Sequence, residues 1–280
     1  MLLRLVVVIL GLTSAVAAHA QWVNYPAAGI ARTSDGRPDL SAPTPRTRDG
    51  RPDFSGIWTT NPTPPEEMER LFPFLKTFAV PGDDARFFPK YFISVFADVR
   101  PEDVPLRPEA AQLFKERFDS SGADTPTSRC LPAGIPMGDL LPVPRRFIQL
   151  SDVLVILYEG INPQRFIYTD GRTHPVDPQP AWLGYSVGRW MADTLVVETR
   201  GFNAQTWLDA AGHPHTEALH VTERFRRVDF GSAEVEVTLD DAGAYTRPFS
   251  FRYRQTLTPD TDLLETICEN EKDRAILTGR

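Results

Sequence analysis

From Arg146 to Glu269 the chain is a succession of short segments rich in β-branched and aromatic residues, parted by turn residues and by no long helical stretch. The segments are 147–150, 153–159, 165–169, 184–190, 194–199, 218–227, 233–239, 249–257 and 263–269. Strands that follow one another this closely pair with antiparallel neighbours, because a parallel pair needs a long crossover. The pattern predicts a mainly β fold, an antiparallel barrel or sandwich, over residues 146–280. Two segments alternate cleanly. Val235, Val237 and Leu239 share one face, with Glu234, Glu236 and Thr238 on the other. Phe249, Phe251 and Tyr253 likewise oppose Ser250, Arg252, Arg254 and Thr256. One dry face and one wet face suit such a sheet. Val153 to Tyr158 is apolar on both faces and reads as a central strand covered on both sides, and Asp170-Gly171 reads as a hairpin or turn.

The first twenty residues read as an export signal. Arg4 supplies the positive start, Leu5 to Val16 the apolar run, and Ala18-His19-Ala20 a small-x-small cleavage pattern. The run is shorter than the roughly 20 apolar residues of a membrane span and has no basic flank after it. Cleavage and a periplasmic or extracellular location are therefore expected for residues 21–280, with no membrane insertion afterwards. The formal net charge of −7 is spread along the chain, which argues against nucleic acid as a partner. Cys130 and Cys268 are an even pair without Cys-x-x-Cys spacing, and in an oxidising compartment they read as one disulfide, with two buried thiols as the alternative.

Residues 21–61 read as an extended arm carrying a duplicated phrase. Thr33-Ser34-Asp35-Gly36-Arg37-Pro38-Asp39 returns as Thr47-Arg48-Asp49-Gly50-Arg51-Pro52-Asp53, each copy predicting a turn and then an extended piece. Residues 62–145 read as a loop-rich, partly helical cover. Helix starts are expected near Pro64 and at Pro108, the second helix running to Phe118 with Ala111, Phe114 and Phe118 on one face. Cys130 to Pro144 reads as a long loop pinned by the disulfide.

Four of the five histidines lie between His174 and His220. On an extended chain His213, His215 and Glu217 point the same way, which offers a ligand set for zinc or another divalent metal; nothing else in the sequence asks for a cofactor. Asp209, His215, Glu217 and Glu223 are the candidate acid–base groups. If Leu219, Val221 and Phe225 face inward, parity places Glu223 inside as well, where a carboxylate needs a partner such as Arg189 or a raised pKa. Trp207, Tyr185, Trp190, Asn203 and His220 are the candidate ligand contacts, since aromatic walls with a few polar groups describe a small-molecule pocket.

Asp49-Gly50-Arg51-Pro52-Asp53-x-Ser55-Gly56-x-Trp58, with the later Gly184 to Trp190, Asp193 to Thr199, Gly201-Phe202-Asn203, Thr206 to Asp209 and His213 to Arg227, resembles a family of exported bacterial proteins of unassigned function. The resemblance implies export and no particular reaction. Gly56-Ile57-Trp58 and Gly188-Arg189-Trp190 also resemble the Gly-x-Trp that opens lipocalin-like (calycin) barrels, where the Trp lies beneath a basic side chain from a late strand; Arg252 or Arg254 would be that partner here. Three functions fit: a small-molecule enzyme (lyase, isomerase or hydrolase) using acid–base chemistry in a barrel pocket, a carrier or sensor for an apolar or aromatic ligand, and a structural envelope protein.

Overall fold

The computed structural model describes residues 26–73, 88–120, 122–160, 163–266 and 268, so the expected export signal lies outside the described residues. Nine strands close into a barrel in chain order: β1 (Gly56–Thr60), β2 (Arg145–Gln149), β3 (Val153–Tyr158), β4 (Arg165–Tyr168), β5 (Tyr185–Met191), β6 (Thr194–Arg200), β7 (His220–Arg227), β8 (Ser232–Asp240) and β9 (Phe249–Leu257). Neighbours are antiparallel except β4 and β5, which are parallel. Parity demands one such pair. Strands that alternate direction around a closed ring must be even in number, and nine is odd. The purely antiparallel expectation is corrected at this seam: Asp170-Gly171 closes no hairpin, and the chain crosses between Thr169 and Gly184 instead.

β1 belongs to the range read as an extended arm, yet it is a stave of the barrel, in the place the Gly-x-Trp likeness implies. Gly56 lies opposite Phe147 of β2, and Trp58 opposite Leu257 of β9. This closure also explains a failed expectation. Residues 263–266, read as part of a further strand, have no regular structure, and 267 and 269 lie outside the described residues. With β1 already paired to β9 there is no free edge to receive them. The Leu264 amide donates instead to the Glu159 carboxylate at 2.9 Å.

The alternation expected from sequence holds. Val235, Val237, Leu239, Phe251 and Tyr253 are buried, while Arg252 and Arg254 pair outside with Glu236 and Glu234. On β3, Leu154 and Ile156 are buried but Val153 and Val155 only partly, so its outer face is less covered than its sequence suggested. A closed barrel has no central strand.

Two different caps seal the barrel. At the lower end Trp58 is fully buried, its indole N–H donates to the Phe54 carbonyl at 2.8 Å, and Arg227 lies over its ring at 4.9 Å. The stacked cation thus comes from β7; Arg252 and Arg254 have outward parity and cannot reach the ring. The upper end, where β1 finishes and β2 begins, is plugged by the segment expected as a disulfide-pinned loop. Ile135 and Leu140 there are fully buried.

The α-helices are α1 (Pro65–Leu71), α2 (Lys90–Ile93) and α3 (Pro108–Asp119), with α4 (Met137–Leu140) inside the plug. Pro108 starts α3 as expected, but Ala110 is its buried residue and Phe118 is 51% exposed. Contact with the β6–β7 loop runs through Phe114 to Arg117, and Phe118 points away from it. Cys130 and Cys268 are bonded, with Cα atoms 5.6 Å apart across 138 residues.

The duplicated phrase folds twice into the same turn. Gly36 donates to Thr33 O and Gly50 to Thr47 O, both at 2.9 Å, and the two glycines have φ of +84° and +83°, which favours residues without a Cβ. Arg32 and Arg46, one residue before each copy, bond the glycine carbonyl of their own turn and then reach Asp260 and Asp193 at 2.8 and 2.6 Å. Each copy is a clip onto the barrel.

Candidate functional site

Strand directions bring polar residues together at the upper end. Arg145 and Arg165 begin β2 and β4, Tyr158 ends β3, and Thr199 and Glu223 face inward on β6 and β7. Arg165 donates to both Glu223 oxygens, to Asp139 Oδ2 and Ser186 Oγ at 3.1 Å, and to Thr199 Oγ1 at 3.0 Å. Asp139 enters from the plug, accepts the Tyr158 hydroxyl at 2.9 Å, and offers its backbone carbonyl to Arg145 and Thr60. Two cations and two carboxylates are thus buried together, which costs much desolvation unless nearly every hydrogen bond is made. Here nearly all are; the exception is Arg145 Nε, buried without a partner. Burial pushes the Glu223 carboxyl up, against the opposing pull of Arg165. Burial also drives the Tyr158 phenol well above its usual range, and Asp139 reinforces it. Parity put Glu223 inside correctly; its partner is Arg165, whereas Arg189 is exposed.

Another buried carboxylate sits outside the barrel in the β6–β7 loop. Asp209 Oδ2 accepts His213 Nδ1–H at 2.6 Å and the Val95 amide at 2.8 Å, and Oδ1 accepts the Gly212 and His213 amides at 3.0 and 3.1 Å. Four donors fix the carboxylate, and the carboxylate fixes the ring. Phe114 stacks on the imidazole at 4.1 Å and Phe96 meets it edge-on at 4.9 Å. Gly212 allows the tight turn: its φ is +99°, and a Cβ would come within 2.7 Å of Arg117 Cβ. Tyr245 holds the next residue by donating to the Pro214 carbonyl at 2.8 Å.

With Nδ1 carrying the proton, His213 keeps its lone pair on Nε2, which has no hydrogen-bond partner among the described residues. The ring lines a cleft of about 660 Å³ with Phe72, Ser94, Phe96, Leu106 and Phe114. An imidazole oriented by a carboxylate, with its other nitrogen open to an aromatic cleft, can take a proton from a bound molecule and return it.

His215 is used differently. Its Nδ1 meets the Thr216 carbonyl at 2.9 Å, so that nitrogen carries the proton, and Nε2 accepts the Thr206 hydroxyl at 2.6 Å. Burial lowers its pKa, and both nitrogens are occupied. Glu217 is exposed on a turn and Glu223 is inside the barrel, so the four expected acid–base residues occupy separate surroundings. The expected metal set fails on the same geometry. Residues 213–217 are not a strand, their side chains do not alternate, and no group of three His, Cys, Asp or Glu residues among those described is placed to hold a metal ion.

The expected ligand contacts also scatter. Tyr185 stacks on Tyr168 at 5.3 Å and accepts from Arg172. Trp190 packs near Phe54 at the lower end. Asn203 accepts the Gln205 amide at 3.1 Å and shapes its own loop. His220 is half-buried on β7 with Nε2 unpartnered, its pKa lowered by burial and by Arg200. Trp207 is buried against Arg117 at 4.8 Å, beside His213.

Sequence reasoning missed Arg165 although a signal was present, since Ile167 faces inward and Arg165 lies two residues before it on the same strand. The role of His213 as the base had no periodic signal, because no repeat reads across an irregular loop. No protein-family model matches the chain, and a search of curated proteins finds no match. No helix among the described residues is long and apolar enough to cross a membrane.

Proposed function

We propose that the protein is an exported small-molecule enzyme working by acid–base chemistry, with His213 as the proton-transfer group and Asp209 as the residue that orients it. The observation that carries this reading is the Asp209–His213 hydrogen bond at the wall of the aromatic cleft. The neutral imidazole would take a proton from an acidic C–H, or from water or a hydroxyl attacking a carbonyl, and Asp209 would stabilise the imidazolium so formed. The chemistry therefore belongs to a cleft beside the barrel mouth. The carrier reading is less well supported, because the barrel interior is filled by aromatic side chains and an ion network. The disulfide suits an oxidising compartment. Export and the likeness to exported Asp-Gly-Arg-Pro-Asp proteins are part of the same proposal, and the Trp58–Arg227 stack favours the calycin likeness.

The test is a screen of the purified protein against activated esters, lactones and enolisable carbonyl compounds, the last in D₂O so that proton exchange is seen directly. A turnover found this way should fall about 10²–10⁴-fold in His213→Gln with the circular dichroism spectrum unchanged. A turnover indifferent to that substitution overturns the reading.

A further inference from the structure

On the other side of the 207–213 loop from the aromatic cleft lies a smaller one of about 280 Å³, lined by Arg117, Arg129, Trp182, Gln205, Trp207 and Asp124 among others. Arg32, Arg46, Arg146, Arg165, Arg226, Arg252 and Arg254 all pair with carboxylates. Arg117 and Arg129 form no ion pair among the described residues. Several other arginines also lack an ion pair among the described residues, but buried Arg227 gives all three of its nitrogens to backbone carbonyls, whereas Arg117 makes a single hydrogen bond. Arg117 is the more telling, because it is partly buried over the Trp207 ring at 4.8 Å and donates to one group, the Gly212 carbonyl at 3.3 Å. Burial lowers its pKa, and Tyr245 and Asp209 offset this only in part. A desolvated cation without a counter-ion is costly to hold, and the cost is recovered when an anion arrives. Arg129 is exposed at the end of a short 3-10 turn, next to the disulfide-bonded Cys130, and donates to the Asp124 carbonyl at 3.2 Å.

We propose that this cleft binds a small cyclic carboxylate. Two unpaired guanidiniums suit a carboxylate through charge-assisted hydrogen bonds. The indole of Trp182, half-buried at the edge, offers a face to a ring, while Gln205 and Asp124 can meet hydroxyl groups around it. The ring can come from a sugar acid or from an aromatic acid, since both place a carboxylate on a flat or shallow ring. This site stands independently of the proton transfer assigned to His213, because it calls for binding alone.

The test is calorimetric and NMR titration of the intact disulfide-bonded protein with D-galacturonate and benzoate, each beside its neutral counterpart, D-galactose and benzyl alcohol. At least one carboxylate should bind about tenfold or more tighter than its counterpart. Arg129→Gln, an exposed change that spares the core, should remove that preference, and Trp182→Ala should weaken the same ligand. Arg117→Gln should do as Arg129→Gln does if it folds. Galacturonate binding alone would identify a sugar-acid site and benzoate alone an aromatic-acid site. Equal binding of acid and neutral partner, a preference that survives Arg129→Gln, or no binding of either acid at about 10 mM would overturn the proposal.

Discussion

Glu223 and Asp209 are both buried carboxylates near the upper end of the barrel, and both hold a nitrogen base by short hydrogen bonds. They differ in what is left over. Around Glu223 the partner is a guanidinium whose donors are nearly all taken, by Asp139, Ser186, Thr199 and Glu223 itself. Around Asp209 the partner is an imidazole with one nitrogen free beside a cleft. Burial of a charge marks a place where the fold has much at stake. Whether it can do chemistry depends on an unfilled valence facing a space that a molecule can enter.

The largest effect is expected at the ion network. Glu223→Gln leaves Arg165 buried with less compensation and should destabilise the protein by about 3–5 kcal/mol, read as a lower urea midpoint. Replacing both partners, Arg165→Met with Glu223→Leu, should cost clearly less than either change alone. A small effect of Glu223→Gln would mean that the network is open to water and resembles the loop pair more than its geometry suggests.

Asp209→Asn should cost less, about 1–3 kcal/mol, since an amide oxygen can keep some of the backbone donors. Its sharper effect should be on His213. A carboxylate at Nδ1 keeps the proton there, so ¹⁵N spectra should show the Nδ1–H form in the parent and a mixture in the variant. A parent spectrum dominated by Nε2–H would remove the free lone pair from the cleft.

His215 offers a pH measurement of the neighbouring loop. Its folded pKa lies below the ordinary value of 6.5, so below pH 6.5 the unfolded chain binds the proton more readily than the folded one. Stability should therefore fall as the pH drops from 6.5 towards the folded value, by at most about 1.4 kcal/mol per pH unit from this residue. His215→Gln should flatten that part of the curve while leaving stability above pH 7 to report the lost Thr206 bond. The smallest effect is expected at the clips. Arg46 is exposed, and Arg46→Ala should leave the urea midpoint unchanged within error while freeing the turn for proteolysis.

The fold was legible where side chains repeat every two residues. Eight strands were readable from alternation or from β-branched runs, and parity placed Glu223 correctly because β7 is regular from His220 to Arg227. Reading stopped where the chain is irregular. The Gly-x-Trp at 56–58 hinted at β1 as a stave, but that 130–144 is a plug and that the 263–269 segment has nowhere to pair are consequences of closure, which no local pattern encodes. The histidine segment misled for a similar reason. Treating 213–217 as a strand gave a metal set, whereas the loop turns His213 towards Asp209 and His215 towards Thr206 and leaves Glu217 in solvent.

The disulfide has a consequence for assembly. The covalent ring from Cys130 to Cys268 contains β2 to β9, and β1 alone lies outside it. Eight strands form a hoop with one slot, and the slot is filled by a segment from earlier in the chain. Because synthesis runs from the amino end, Gly56–Thr60 must stay unpaired on one side until Leu257 exists to meet Trp58. A peptide carrying that segment should compete for the slot while it is still empty. The pair that closes the barrel joins the first stave made to the last.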